Sequence, residues 1–141
     1  MAQEEERRAP DPVELTRRLV AAFDRGDVDA IERFGADDAV LEATGLGIRF
    51  EGRKAISGFV ADWLGSFEDL TFEVLEVDAV SVGIVLVLID QSGRPAGTLA
   101  TIQQLEAWVI EWVDGRITQL ASYLDIGQAR AAAEHLAAER G

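Results

Sequence analysis

Gln104, Glu106, Trp108, Ile110 and Trp112 occupy every second position of one stretch. Alternate residues of an extended chain share a face, so this spacing predicts a carboxylate beside an amide and two indoles. Ala107, Val109, Glu111 and Val113 take the other face. If the even-numbered face is turned inward, Glu106 is partly desolvated next to Trp108 and Gln104. Desolvation raises a carboxyl pKa toward the range useful for general acid–base work. Glu106 is therefore the catalytic candidate. Its competing roles are a rim carboxylate or one held at a dimer interface. Trp63, Trp108 and Trp112 are large and rigid enough to wall an apolar ligand site. Core packing for Trp63 and sheet packing for the other two is the commoner use of such residues. Leu120 and Ser122 are expected on the opposite wall if the final strand keeps its phase. There Ser122 either orients a water or a carbonyl, or fills a small gap against backbone. Gln91 is a polar pocket group or, as its place at a strand end favours, a turn residue. Tyr123 is out of phase with Ser122 and is expected to point away.

Composition excludes other chemistries. The chain has 141 residues, no cysteine and one histidine, His135. Disulfides and thiolate chemistry are excluded, and a structural zinc site lacks its ligands. A Ser–His–Asp arrangement has only a histidine near the chain end to draw on. Gly45-Leu46-Gly47 lacks the flanking strand, helix and further glycine of a dinucleotide fingerprint. Asp37 and Asp38 suit the start of a strand, and two neighbouring carboxylates alone do not make a metal site. No metal and no cofactor is expected. Acidic residues number 26 and basic residues 13, a net charge of −13. Such a surface repels nucleic acid and anionic membranes. Apolar residues make up 48% and charged residues 28%, the balance of a soluble globular chain. The length suits one domain with one sizeable core. Residues 1–8 are charged and lack the apolar core of a secretory signal. The longest apolar run, residues 84–89, fits a buried strand and is far short of a membrane span. The expected compartment is the cytoplasm. Residues 1–12 are expected as a disordered acidic tail, and residues 13–141 as a single domain.

Periodicity and turn chemistry predict the elements that position these groups. Asp11-Pro12-Val13-Glu14 opens a helix, with Asp11 as cap, Pro12 at the first position and Glu14 completing a capping box. Leu15, Leu19, Ala22 and Phe23 share its apolar face, and Gly26 ends it. Asp27 caps a short second helix through residue 34. Residues 38–43 and 48–50 are short strands around a Thr44-Gly45-Leu46-Gly47 turn. Residues 53–67 form an amphipathic helix, with Ile56, Phe59, Val60, Trp63, Leu64 and Phe67 at helical spacing. Strands are expected over 70–80, 82–90, 98–113 and 116–124. Ser92-Gly93-Arg94-Pro95 is a loop, and Asp114-Gly115 is a hairpin turn. Asp125 and Gln128 make a second capping box, opening an alanine-rich helix through residue 139. Helices grouped ahead of a meander imply an α+β fold, with helices on one face of a curved sheet. That arrangement leaves a conical pocket.

Four segments carry a family resemblance. Leu19-Val20-Ala21-Ala22-Phe23-Asp24-Arg25-Gly26-Asp27-Val28-Asp29-Ala30-Ile31 reads as helix, Gly-Asp break and helix. Ala36-Asp37-Asp38-Ala39-Val40-Leu41-Glu42 reads as a first strand. Phe50-Glu51-Gly52-Arg53-Lys54-Ala55-Ile56 leads into a third helix. Trp112-Val113-Asp114-Gly115-Arg116-Ile117, with Tyr123-Leu124-Asp125, reads as a final hairpin and exit. In that order, over residues 13–135, they resemble the NTF2-like superfamily and most of all its SnoaL-like branch. The resemblance implies an α+β NTF2-like (cystatin-like) cone, a curved antiparallel sheet wrapped around three N-terminal helices, plus a C-terminal helix. It implies that the even-numbered face of residues 104–112 points into the cone. With that face inward, Leu19, Phe23, Phe59, Trp63, Gln104, Trp108, Trp112 and Ser122 are expected to form a ligand-binding wall. It also implies a homodimer through the outer sheet face. The family holds isomerases, epoxide hydrolases, polyketide cyclases, dehydratases and non-catalytic binders, so the fold does not choose among them.

Where steroid-isomerase relatives carry an oxyanion-donating tyrosine and a general-base carboxylate, this chain has Leu19 and Ala43. Where epoxide-hydrolase relatives carry an arginine and two aspartates, it has Ile89, Gln91 and Ser122. Both known catalytic sets are absent. The expected function is a cofactor-free isomerase, hydrolase or cyclase that uses Glu106 as acid/base on a small apolar cyclic molecule. The alternative is a non-catalytic ligand-binding or dimerisation module.

Overall fold

A computed structural model describes residues 11–140. The expected tail therefore lies outside the described residues, except for Asp11 and Pro12, which open the first helix. Helix α1 is Pro12–Arg25, with the Asp11 carboxylate accepting from the Val13 N–H at 2.9 Å and Gly26 in the left-handed conformation at its end. Glu14 does not complete a capping box, because its carboxylate reaches along the helix to Arg18 at 3.3 Å. Helix α2 is Val28–Phe34, capped by Asp27. Strands β1, Gly35–Ala43, and β2, Ile48–Glu51, flank a single helical turn at Thr44–Leu46. Helix α3 is Arg53–Gly65. It ends two residues before the predicted boundary, because Phe67 already belongs to the next strand.

Four long strands follow, β3 Phe67–Ser81, β4 Ile84–Pro95, β5 Ile102–Val113 and β6 Arg116–Tyr123, and then helix α4, Ile126–Arg140. The expected loop at residues 92–95 is strand instead. Ser92 pairs with Thr71, Arg94 with Glu68 and Pro95 with Phe67, so long-range pairing overrides the local Gly-Arg-Pro turn signal. Residues 98–101 lie outside β5, which is shorter than predicted. The Asp114–Gly115 hairpin forms as expected, with φ 51° and 78°, the double positive φ that a two-residue turn of this hand requires.

The six strands make one open, curved sheet in the order β2-β1-β6-β5-β4-β3. It is not wholly antiparallel, since β1 runs parallel to β6, with Leu41 opposite Leu120 and Ala43 opposite Ser122. A parallel neighbour needs a long crossover, and the chain supplies it with β2, α3 and the three strands between. The concave face packs on α1, α2 and α3 through a core that includes Leu19, Val20, Phe23, Val60, Val87 and Ile110. Helix α4 covers the convex face, with Ala129 and Ala133 against Ile84, Leu86, Ala107 and Val109. Alanines let the helix approach the sheet closely. This two-sided cover explains the unbroken apolar run at residues 84–89, whose side chains alternate between two buried layers. It also means that part of the outer sheet face is covered by the chain's own helix. No helix among the described residues is long and apolar enough to cross a membrane.

Candidate functional site

The period-two reading of β5 places its residues correctly. Trp108, Ile110 and Trp112 are buried on the concave side, whereas Ala107 and Val109 lie under α4. Between the concave face and α3 is a cavity of about 210 Å³. An apolar space of about 150 Å³ holds benzene, so this one has room for a substituted single ring. Its apolar walls come from Phe23 of α1, Phe59, Val60 and Trp63 of α3, Trp108 of β5 and Leu120 of β6. The exposed Leu46 and Leu124 stand at its edge. Phe72 backs this wall, linking the rings: Phe23 lies 4.9 Å from Trp108 and 5.5 Å from Phe72, and Trp63 lies 5.8 Å from Phe72. Helix α1 is tied to β3 at this point, where the Asp24 carboxylate accepts from the Phe72 N–H at 2.9 Å.

The polar lining is concentrated on two neighbouring strands. Register pairs Ile89 with Glu106 and Gln91 with Gln104, so both amides and the carboxylate share one stretch of wall. The Trp108 Nε1–H donates to Glu106 Oε1 at 3.1 Å. Burial pushes the Glu106 carboxyl above the usual carboxylate range, and the Trp108 hydrogen bond offsets only part of that. Ser122 faces the same cavity from β6, beside Trp108.

Of the residues assigned to the wall from sequence, Phe23, Phe59, Trp63, Gln104, Glu106, Trp108 and Ser122 meet at this cavity. Leu19 and Trp112 do not. Leu19 is fully buried and borders a separate apolar space of about 50 Å³ among α1, α2, α3 and β1. Trp112 lies deeper in the cone, where its Nε1–H donates to Thr16 Oγ1 at 3.0 Å and its ring meets Phe34 edge-on. Both are core because α1 and α2 close that end of the sheet. Of the two readings of Gln91, the turn residue favoured by its place at a strand end gives way to the polar pocket group, because β4 continues past it and makes it a wall residue in mid-strand. The signal for it was present: Val85, Val87, Ile89 and Gln91 continue one parity, and the first three are buried inward. Of the positions taken over from relatives, Ala43, Gln91 and Ser122 line the cavity, and Ile89 is fully buried core.

The remaining groups stand elsewhere. Tyr123 packs on the convex side, as its phase predicts, where burial and the Glu42 carboxylate raise its pKa. Asp125 caps α4 through the Gln128 N–H at 2.9 Å. His135 is exposed and pairs with Glu139 at 2.9 Å, and Asp37 pairs with Arg53 at 3.0 Å. Among the described residues no three His, Asp or Glu side chains are grouped so as to hold a metal ion.

A family model described as the SnoaL-like domain matches residues 16–120. The chain belongs to this family. The match runs from within α1 to within β6, so the matched part of this SnoaL-like chain includes Glu106 and both wall glutamines, with Ser122, Leu124 and α4 just beyond it. Solved structures share the fold at low identity. One is a hypothetical protein of ketosteroid isomerase-like fold from Catenulispora acidiphila in complex with trimethylamine, with a TM-score of 0.74, 19% identity, and cover of 84% of this chain and 90% of that one. A limonene epoxide hydrolase-like epoxide hydrolase from M. tuberculosis has a TM-score of 0.71 and 19% identity over 90% of this chain and 91% of that one. A putative isomerase from Bacillus subtilis has a TM-score of 0.71 and 24% identity over 79% and 84%. No curated protein sequence matches the chain.

Proposed function

We propose that this SnoaL-like protein is a small-molecule enzyme in which Glu106 moves a proton on a compact, mainly apolar cyclic substrate. The observation that carries the reading is the setting of Glu106. It is a carboxylate in the polar stretch of an otherwise apolar cavity, held by Trp108 and pushed up in pKa by burial. A carboxyl tuned upward is a stronger base when ionised and keeps a larger neutral fraction near neutral pH, so it both takes and returns a proton. On a cyclic carbonyl compound, the carboxylate would remove a proton from the carbon next to the carbonyl and the resulting acid would return it, with no net change in atoms. Steroid-isomerase-type and epoxide-hydrolase-type machinery play no part in this reading, because Leu19, Ala43, Ile89, Gln91 and Ser122 stand at those positions.

A second reading, ligand binding without turnover, is favoured by Ala43, which offers the cavity a methyl group where isomerase relatives carry their base. One experiment separates the two. Exchange of the ring protons of 2-methylcyclohexanone for deuterium is followed by NMR in D₂O with wild type and Glu106→Gln. The enzymatic reading expects acceleration by wild type and a loss of roughly 100-fold or more in the variant, with fluorescence-detected binding retained. Binding by both proteins with no acceleration by either decides for the non-catalytic module.

A further inference from the structure

Removing a proton from the carbon beside a carbonyl leaves negative charge on the carbonyl oxygen, and the step is fast only where a fixed hydrogen-bond donor meets that oxygen. The cavity offers few such donors. Its lining residues include no lysine, arginine, histidine or tyrosine, so the side-chain donors are Gln91, Gln104, Trp108 and Ser122. Trp108 has one N–H, and it is spent on Glu106 Oε1 at 3.1 Å. Gln91 is only 7% exposed and its carbonyl oxygen is sealed off. Ser122 is a short side chain on β6, across from Trp108 rather than from Glu106. Gln104 stands two positions from Glu106 on the same face of the same strand, a spacing of about 6.8 Å. Unlike neighbouring glutamines it is not tied to the sheet. Gln103 Nε2 donates to Asp90 at 2.8 Å and Gln119 Nε2 to Glu111 at 3.4 Å, whereas the half-buried Gln104 amide has no hydrogen-bond partner among the described residues. Nor is it sealed off, since the buried, unpartnered side-chain atoms among those residues belong to Asp90 and Gln91. Glu106 Oε2 is likewise unpartnered and accessible.

We propose that the Gln104 side-chain N–H is the donor that holds the carbonyl oxygen of a ring ketone or lactone while Glu106 Oε2 takes the proton from the adjacent carbon. The inference rests on Glu106 acting as the base. The carbonyl and the acidic C–H sit on neighbouring carbons, so one ring bridges Gln104 and Glu106 with its apolar body against Phe23, Phe59, Trp63 and Trp108. As the O–H bond forms at Oε2, the C–H bond breaks. Its electron pair becomes the carbon–carbon double bond of the enolate, and the carbonyl π pair moves onto oxygen. Gln104 keeps its proton, and its hydrogen bond strengthens as that charge develops. The reverse flow returns a proton from the Glu106 carboxyl after exchange with water, so no co-reactant is needed. A neutral amide suits this place. A cationic donor so near would pull the Glu106 carboxyl down in pKa and weaken it as a base.

The test follows deuterium exchange of 2-methylcyclohexanone and the infrared C=O stretch of the bound ketone, both on the full chain. Wild type should show the bound stretch at lower frequency than Gln104→Leu or the length-matched Gln104→Met. Both variants should lose roughly 100-fold in kcat for exchange. KM should change little, because the donor contributes most when charge has developed. Since Gln104 ties nothing to the sheet, both should keep a Tm near that of wild type, which separates a lost donor from lost folding. Glu106→Gln should lose exchange yet keep the low-frequency stretch, so the two residues are read separately. A stretch that depends on Gln104 in a wild type that accelerates no exchange would support the Gln104 contact and refute Glu106 as base. Exchange and stretch unchanged in both Gln104 variants would overturn the proposal. A stretch that moves in Ser122→Ala and not in the Gln104 variants would place the donor on β6 and overturn it equally.

Discussion

Leu120→Ala is expected to lengthen the ligand that the protein accepts while costing less stability than a typical core leucine. Leu120 lines both the 210 Å³ cavity and the 50 Å³ apolar space beside it, together with Phe23, Leu41 and Val60. Trimming its side chain to a methyl group is expected to join the two. Leucine-to-alanine changes in cores cost about 2–5 kcal/mol, the larger values going with rigid, fully packed surroundings. Leu120 borders empty space on two sides, so it forfeits fewer dispersion contacts than Leu19, and the expected loss is about 2–3 kcal/mol. For a chain of this size that is a fall in Tm of roughly 8–12 °C. The compensating gain is read by titrating a series of 4-alkylcyclohexanols. Each buried methylene is worth about 0.8 kcal/mol, or roughly fourfold in affinity. In wild type the gain should stop when the alkyl chain meets Leu120. In the variant it should continue for about two or three more carbons. An unchanged chain-length profile, or a stability loss above about 4 kcal/mol, would refute the idea that Leu120 is the partition between two neighbouring spaces.

Three further outcomes are expected. Burial holds the folded Glu106 carboxyl above its usual value of 4.5, so the folded state binds the proton more tightly than the unfolded one. That contribution is fully present below the unfolded pKa and is lost as pH rises through the folded pKa. The stability of wild type relative to Glu106→Gln should therefore decline as pH rises above 4.5 and level off once the folded carboxyl is ionised; urea titrations showing a difference that grows with pH would contradict the assignment. Thr16→Val keeps the shape of a fully buried side chain but leaves the Trp112 indole N–H without its acceptor. It should cost about 1–3 kcal/mol by chemical unfolding, and a neutral result would mean that water or another acceptor serves Trp112. Gly83→Ala places a Cβ 2.7 Å from the Trp112 carbonyl oxygen at a residue with φ 78°. The clash is with backbone that cannot swing aside, so a loss of about 2 kcal/mol or more is expected, and wild-type unfolding behaviour would show that the β3–β4 turn relaxes freely.

Local chemistry determined much of this protein before any tertiary contact was considered. Asp11, Asp27 and Asp125 act as helix caps because a short carboxylate reaches the free N–H groups of the next turn. Asp114-Gly115 turns because its backbone tolerates positive φ. The parity of residues 104–112 assigned Glu106, Gln104 and Trp108 to one face and Ala107 and Val109 to the other, because a strand's period is two whatever it packs against. The tertiary structure decided what depends on register and depth. Pairing with β3 turned the 92–95 segment into strand and carried Gln91 into the cavity wall opposite Gln104. Closure of the cone by α1 and α2 made Leu19 and Trp112 core, although they share faces with wall residues. The parallel seam between β1 and β6 set Ala43 beside Ser122, and α4 packed on the convex face over Ile84, Leu86, Ala107 and Val109. Each of these follows from contacts between residues far apart in the chain, where a shift of one position reverses which side of the sheet a side chain occupies. No local pattern encodes that choice; the packing of the helices against the two faces of the sheet makes it.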